Sequence, residues 1–194
     1  MNLKSITFIC LLFVCYSLFG QTKQEQEFRI KQSSLPEVMV SFIEKLPKNT
    51  KKVRFYKEID GDQQSFEIKF RLNRTFYSAE FTTKGNLEDI EVITKTKHVD
   101  NTILKTITSY FDANFKKTKL LKIQKQYFPN PNQTAIGLLN TILVQNTNEK
   151  PRYEIIAEVT DSISRNLREF NFKEDGTFIK SRIVAPSSYG HVLY

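Results

Sequence analysis

The side chains with chemical reach are few and scattered. His98 and His191 are the two histidines, and nothing in the sequence places a carboxylate partner beside either one. A base held by an orienting group is the least that triad-type catalysis requires, so both read as ordinary surface residues. Asp60-Gly61-Asp62 resembles a fragment of a calcium loop, but Asp-Gly is a standard turn pair and a hairpin turn is needed there. Glu88, Asp89 and Glu91 read as a solvated strand edge rather than as catalytic carboxylates. A metal centre needs three or four converging ligands, and no such set stands out. Nor does a Gly-rich phosphate loop or a Gly-x-Ser-x-Gly elbow. The chain is therefore expected to use no cofactor, to catalyse nothing, and to act by binding.

The N-terminal segment has its own logic. Lys4 is followed by the apolar run Ile6 to Val14, then by the small residues Ser17 and Gly20, and a polar stretch opens at Gln21. This is the layout of a secretory signal peptide, with an apolar core shorter than the roughly 20 residues of a spanning helix. Cleavage is expected between Gly20 and Gln21. A retained anchor and lipidation at Cys15 are the alternatives. Both cysteines, Cys10 and Cys15, lie in this segment, so the mature chain has no disulfide, thiol nucleophile or thiolate metal site. Its core alone must hold it together. A periplasmic or secreted location follows, with no transmembrane segment in the mature chain.

Without Lys4 the chain keeps 28 basic and 21 acidic residues, a net charge of +7. The Lys and Arg residues are scattered rather than blocked, which argues against nucleic acid as a partner. An anionic partner or envelope surface suits such a balance, and so does AT-rich codon usage.

The elements that would position any site repeat along the chain. Phe66-Glu-Ile-Lys-Phe-Arg-Leu72 and Tyr153-Glu-Ile-Ile-Ala-Glu-Val159 share an aromatic-Glu-Ile opening and apolar residues at alternate positions, the mark of a half-buried strand. Downstream, Phe81 to Leu87 matches Phe172 to Phe178, with Gly85 and Gly176 in register. Glycine takes the positive φ of a tight turn freely. Before each strand set comes an apolar stripe at helical spacing, Leu35, Val38, Met39, Phe42, Ile43 and Leu46 in one, Val99, Ile103, Leu104, Ile107, Tyr110 and Phe111 in the other. Ser34 with Glu37 would cap the first as a capping box and Asp100 the second. Strands are expected near 53–59, 66–72, 75–82 and 87–93, then near 119–127, 152–159, 165–172 and 177–184.

The expected fold class is α+β, two tandem repeats of a helix plus a four-stranded antiparallel sheet. The first repeat covers 35–98 and the second 99–186. They lie between an N-terminal extension, 21–34, after the 1–20 signal peptide and a C-terminal tail, 187–194. Within the second repeat an insertion at 129–151 carries Ala135 to Val144, which fits a short helix and a strand equally well. It would serve as a lid or partner contact, or as a cap on the core.

The order Leu35-Pro36, strand, hairpin and Phe-x-x-x-Gly-x-apolar resembles the PepSY-like domains of exported bacterial proteins, in the tandem form of the beta-lactamase-inhibitor-protein architecture. The Phe- or Tyr-led strands at Phe66 and Tyr153 and the turns at Gly85 and Gly176 carry the resemblance, over about 35–98 and 99–184. Thr82 and Lys173 stand where that family commonly has Asp, and the insertion is extra. The resemblance implies a non-enzymatic envelope module that binds or restrains a protein such as a hydrolase.

If Phe66, Ile68, Phe70 and Leu72 face the helix, alternation turns Glu67, Lys69 and Arg71 to the opposite face, with Arg54, Tyr56 and Phe76 beside them. The second repeat adds Ile156 and Leu167. Aromatic, apolar and Arg side chains together on a wet face suit a protein-binding surface, so Arg54, Tyr56, Lys69, Arg71, Phe76, Ile156 and Leu167 form the candidate site for an envelope or secreted protein partner. The competing expectation is that the two sheets join, or that the insertion covers this face. A further alternative is a carrier of a small apolar ligand, with its pocket under the 129–151 segment.

Overall fold

The computed structural model describes residues 22–144, 149–188 and 190; Cys15, Gly20, Gln21 and His191 lie outside them. The elements run β1 (Thr22–Lys23), β2 (Glu25–Arg29), α1 (Glu37–Glu44), β3 (Lys51–Asp60), β4 (Gln63–Leu72), β5 (Thr75–Thr82), β6 (Leu87–Thr94), α2 (Asn101–Asn114), β7 (Lys117–Tyr127), α3 (Ala135–Leu143), β8 (Arg152–Thr160), β9 (Arg165–Phe172) and β10 (Phe178–Val184). Strands β3 to β10 each begin and end within three residues of the spans that alternation implies.

The architecture corrects the expectation of two tandem helix-plus-four-strand repeats. All ten strands form one sheet in the order β1-β10-β9-β8-β7-β6-β5-β4-β3-β2. Two independent units would leave β6 and β7 as edges with rows of unpaired N–H and C=O groups. Instead the two strands pair antiparallel, with Ile90 opposite Tyr127 and Thr94 opposite Ile123. The outer edges are managed in the same way. Lys23 of β1 pairs with Val184 of β10 in parallel, and two residues later Glu25 of β2 pairs with Asp60 of β3. One short segment thus touches both edges, and the sheet curls into a nearly closed barrel.

The helices lie on one face. Phe42 of α1 meets Phe70 and Phe81 edge-on, with ring centroids 6.3 and 5.6 Å away. On the other half, Phe111 of α2 meets Phe170 at 4.8 Å, and Tyr110 stacks on Phe178 at 4.3 Å. The insertion is helical where it forms α3, and it packs across the halves. Leu138, Leu139 and Ile142 are buried in the same cluster as Met39, Phe42, Phe70 and Phe81. It is a core cap on the helix side, and it does not cover the helix-free face.

Local signals held unevenly. The Asp100 side chain caps α2, accepting from the Thr102 N–H at 2.8 Å and the Ile103 N–H at 3.3 Å. The expected Ser34–Glu37 box does not form, because Pro36 directly precedes α1 and no side chain caps that helix. Asp60-Gly61-Asp62 is the β3–β4 turn, with Gly61 at φ 60°. Gly85 and Gly176 adopt φ of 84° and 85°. Each donates its N–H to the carbonyl three residues back, Thr82 or Lys173.

Candidate functional site

Polar side chains of the helix-free face surround a cavity of about 600 Å³. Its lining runs across the sheet from Glu27 of β2 through Glu58, Glu67, Glu80, Glu91, Gln124 and Glu154 to Glu169 and Arg182. Ten of the chain's 21 acidic residues line it, against six of its 29 basic ones. A chain that is basic overall therefore lines a partly open cavity with an excess of acidic side chains. Strand alternation accounts for the sorting. On β4, Ile68 and Phe70 go to the core while Glu67 and Lys69 go to the cavity.

The seam is held by charge. Glu169, 1% exposed, accepts from Lys23 Nζ at 2.6 Å and from Arg182 Nη2 at 3.0 Å. Arg182 also reaches Asp60 Oδ2 at 2.5 Å, and Lys23 reaches Glu25 at 2.6 Å. Burial alone would raise the Glu169 pKa, but Lys23 and Arg182 hold it below the ordinary value. Farther in, Lys69 Nζ lies 2.6 Å from Glu27 and 3.2 Å from Glu67. Burial works against its charge, yet Glu67 and Glu27 keep its pKa high. Glu58 is raised well above the usual carboxylate range by burial and by the charges of Glu67 and Glu25.

A second group of carboxylates lies on β5 and β6. Glu80 is directly opposite Asp89, and Glu91 follows two residues on. One oxygen of each lies within 4.8 Å of the others. Asp89 and Glu91 are only 4% and 6% exposed, which corrects the expectation of a solvated strand edge for these two; Glu88, just before them, is exposed. Burial drives Asp89 up to about 7, although the hydrogen bond from Gln126 opposes it. Burial, then the charges of Asp89 and Glu91, raises Glu80, while burial followed by Glu154 and Asp89 raises Glu91.

The residues named from alternation share the helix-free face but not one environment. Arg54 and Phe76 are exposed, and Arg71 lies over the Phe76 ring at 5.3 Å. Tyr56 is half-buried beneath Lys69, whose Nζ is 5.2 Å from the ring centroid. Ile156 and Leu167 are 1% and 7% exposed, packed with Val184 in a small apolar cluster; they present nothing to a partner, because the closing sheet covers them. His98 is exposed in a 3-10 turn. Lys23, Glu25 and Glu27 were not legible as site residues, since their strands carry too few apolar positions to show an alternation. The acidic face itself was visible in part, as Glu67 on β4 and Glu80, Asp89 and Glu91 on the next two strands at period-two spacing.

The sequence matches no family model and no curated protein. Solved structures are similar in fold. A DUF2874 family protein from Bacteroides ovatus superposes with a TM-score of 0.51 at 13% identity, over 77% of this chain and 88% of that one. A candidate periplasmic protein from Bacteroides eggerthii gives 0.51 at 10% identity over the same shares. A BLIP-like protein from Bacteroides fragilis aligns more loosely, with a TM-score of 0.47 at 11% identity, over 77% of this chain and 86% of that one. The PepSY-like resemblance is not carried by these matches. At such identities, what this chain shares with the first two is its architecture.

Proposed function

We propose that this chain is an exported, non-enzymatic binding module whose helix-free cavity receives a small, positively charged ligand. The observation that carries the reading is the excess of carboxylates around a partly open cavity of about 600 Å³, within the range of about 300–1,000 Å³ used for small ligands. Cations gain most from carboxylates held in low-dielectric surroundings. The apolar run Ile6 to Val14 behind Lys4 supports export to the periplasm or beyond. The cavity brings together carboxylates, amides and ammonium groups, with no histidine in its lining, and its serines Ser78 and Ser65 donate to Glu67 and Glu58 rather than to an imidazole base, which supports binding over turnover.

The experiment is titration calorimetry of the mature chain with spermidine and with putrescine. Saturable binding that weakens in the Glu67→Gln, Glu154→Gln double variant supports the reading. Absence of binding to any polyamine or guanidinium probe, with no small molecule retained in native mass spectrometry, refutes it.

A second reading, an envelope protein partner such as a hydrolase, draws on the apolar groups around the cavity. Phe76, Phe128 and Ile179 are 44%, 40% and 39% exposed, and Arg152 lies over the Phe128 ring at 4.8 Å. Tyr56→Ala with Phe76→Ala is expected to abolish capture of such a partner without lowering thermal stability. Unfolding of that pair would make the two side chains core and end this reading. The apolar-ligand alternative loses its space, since Leu138 and Leu139, both 0% exposed, fill the region under the insertion.

A further inference from the structure

We propose that Glu80, Asp89 and Glu91 form a binding site for a calcium-sized divalent cation on the cavity wall. Three carboxylate oxygens from adjacent strands converge within 4.8 Å of one another, a separation that one Ca²⁺ bridges with bonds of about 2.3–2.6 Å. Asp89 adds an independent sign. Its Oδ2 accepts from Gln126 Nε2 at 2.8 Å, whereas its Oδ1 is buried with no hydrogen-bond partner. A buried carboxylate oxygen left bare carries an uncompensated desolvation cost, and a bound cation removes that cost.

The surroundings are those of a held ligand set. Gln126 and Gln124, both on β7, donate to Asp89 and to Glu91 Oε2 respectively. Such outer donors fix the orientation of metal-binding carboxylates. Glu80 and Glu91 line the cavity, so an ion has a path from solvent. Oxygen-only donors suit Ca²⁺ rather than a softer transition metal.

The other carboxylate group of the interior is the internal contrast. Glu25, Glu27 and Glu58 also converge, but Lys23 Nζ already lies 2.6 Å from Glu25 and Lys69 Nζ 2.6 Å from Glu27. That cluster has its cations built in. The inference does not depend on the cavity holding an organic cation.

The test is calorimetric titration of CaCl₂ into the mature chain after chelator treatment, with melting followed in parallel. One Ca²⁺ per chain and a rise in Tm are expected. Asp89→Asn should weaken binding by at least about tenfold, the lower bound for loss of even an outer-sphere partner. Glu27→Gln should leave it unchanged. Should Asp89→Asn fail to fold, Glu80→Gln gives the same readout. No saturable binding up to about 10 mM Ca²⁺, beyond the 10⁻⁴–10⁻³ M of weak extracellular sites, overturns the proposal. So does wild-type affinity in Asp89→Asn or Glu80→Gln, or equal loss in Glu27→Gln.

Discussion

Arg182 Nη1 lies 2.5 Å from Asp60 Oδ2, an ion pair between β10 and β3 across 122 positions of sequence. These strands stand next to the two ends of the sheet, so the pair ties across the seam at which β1 and β2 close the barrel. Its partner Glu169 is buried and depends on Arg182 and Lys23 for compensation.

Arg182→Met is therefore expected to destabilise the fold. Breaking one side of a buried ion pair costs roughly 3–5 kcal/mol, and the lower end applies because Lys23 still holds Glu169. Urea unfolding monitored by circular dichroism measures it. An unchanged midpoint would mean that the seam contributes nothing to stability.

The two glycine turns predict unequal tolerance. A Cβ at Gly176 would meet the Ile103 carbonyl oxygen at 2.9 Å and Thr106 Cβ at 3.1 Å, whereas one at Gly85 would meet Pro36 Cβ at 3.3 Å and Val38 Cβ at 3.5 Å. Both substitutions carry the left-handed backbone cost of about 1–2 kcal/mol. Gly176→Ala should cost visibly more than Gly85→Ala, because it must also displace helix backbone. Melting temperatures of the two variants compare them directly.

The position of α3 is tested by Leu139→Ala. Leu139 is fully buried in the cluster that includes Phe42 and Phe70, so a loss of about 2–5 kcal/mol is expected. An insertion that merely hung at the periphery would tolerate the change, and denaturant titration separates the two outcomes.

Stability should fall as pH rises from about 5, just above the unfolded glutamate value, toward neutrality. Glu58 on β3 faces Glu67 and Lys69 on β4 and Glu25 and Glu27 on β2, and burial with the acidic neighbours raises its pKa. Glu154 is raised too, by burial and by Glu169. Unfolded glutamates titrate near 4.3, so above that pH the native state holds protons that the unfolded chain has released. Each such proton contributes about 1.4 kcal/mol per pH unit, favouring the folded state at lower pH. Glu169 has the opposite sign, since its lowered pKa withdraws stability as pH falls through the folded value. Its titration lies below this range, whereas Glu27, Glu80, Asp89 and Glu91 are raised along with Glu58 and Glu154, so the first trend should prevail, and Glu58→Gln should flatten it. Urea midpoints across this range measure both slopes.

Much of the secondary structure was legible because alternation and helical stripes are local properties. Phe66, Ile68, Phe70 and Leu72 predict the face of β4 that packs on α1, and they do face that core. Asp100 predicts the start of α2, since a cap needs only its own neighbours. The site was legible only in fragments. Glu67 and Lys69 were assigned to the helix-free face, but nothing in the spacing of Asp89 and Glu91 told solvent from a buried position.

The sequence by itself determined where β3 to β10 and the first two helices form and which of their side chains share a face, because periods of 2 and 3.6 are written in nearest neighbours. Only the tertiary structure decided that β6 joins β7, that β1 and β2 bring the far edges together, and that α3 of the second half caps the core of the first. Those outcomes depend on backbone groups at strand edges finding partners, and every residue type but proline carries the same backbone groups. The acidic cavity exists because that edge pairing curls a polar face inward, where spacing along the chain cannot show it.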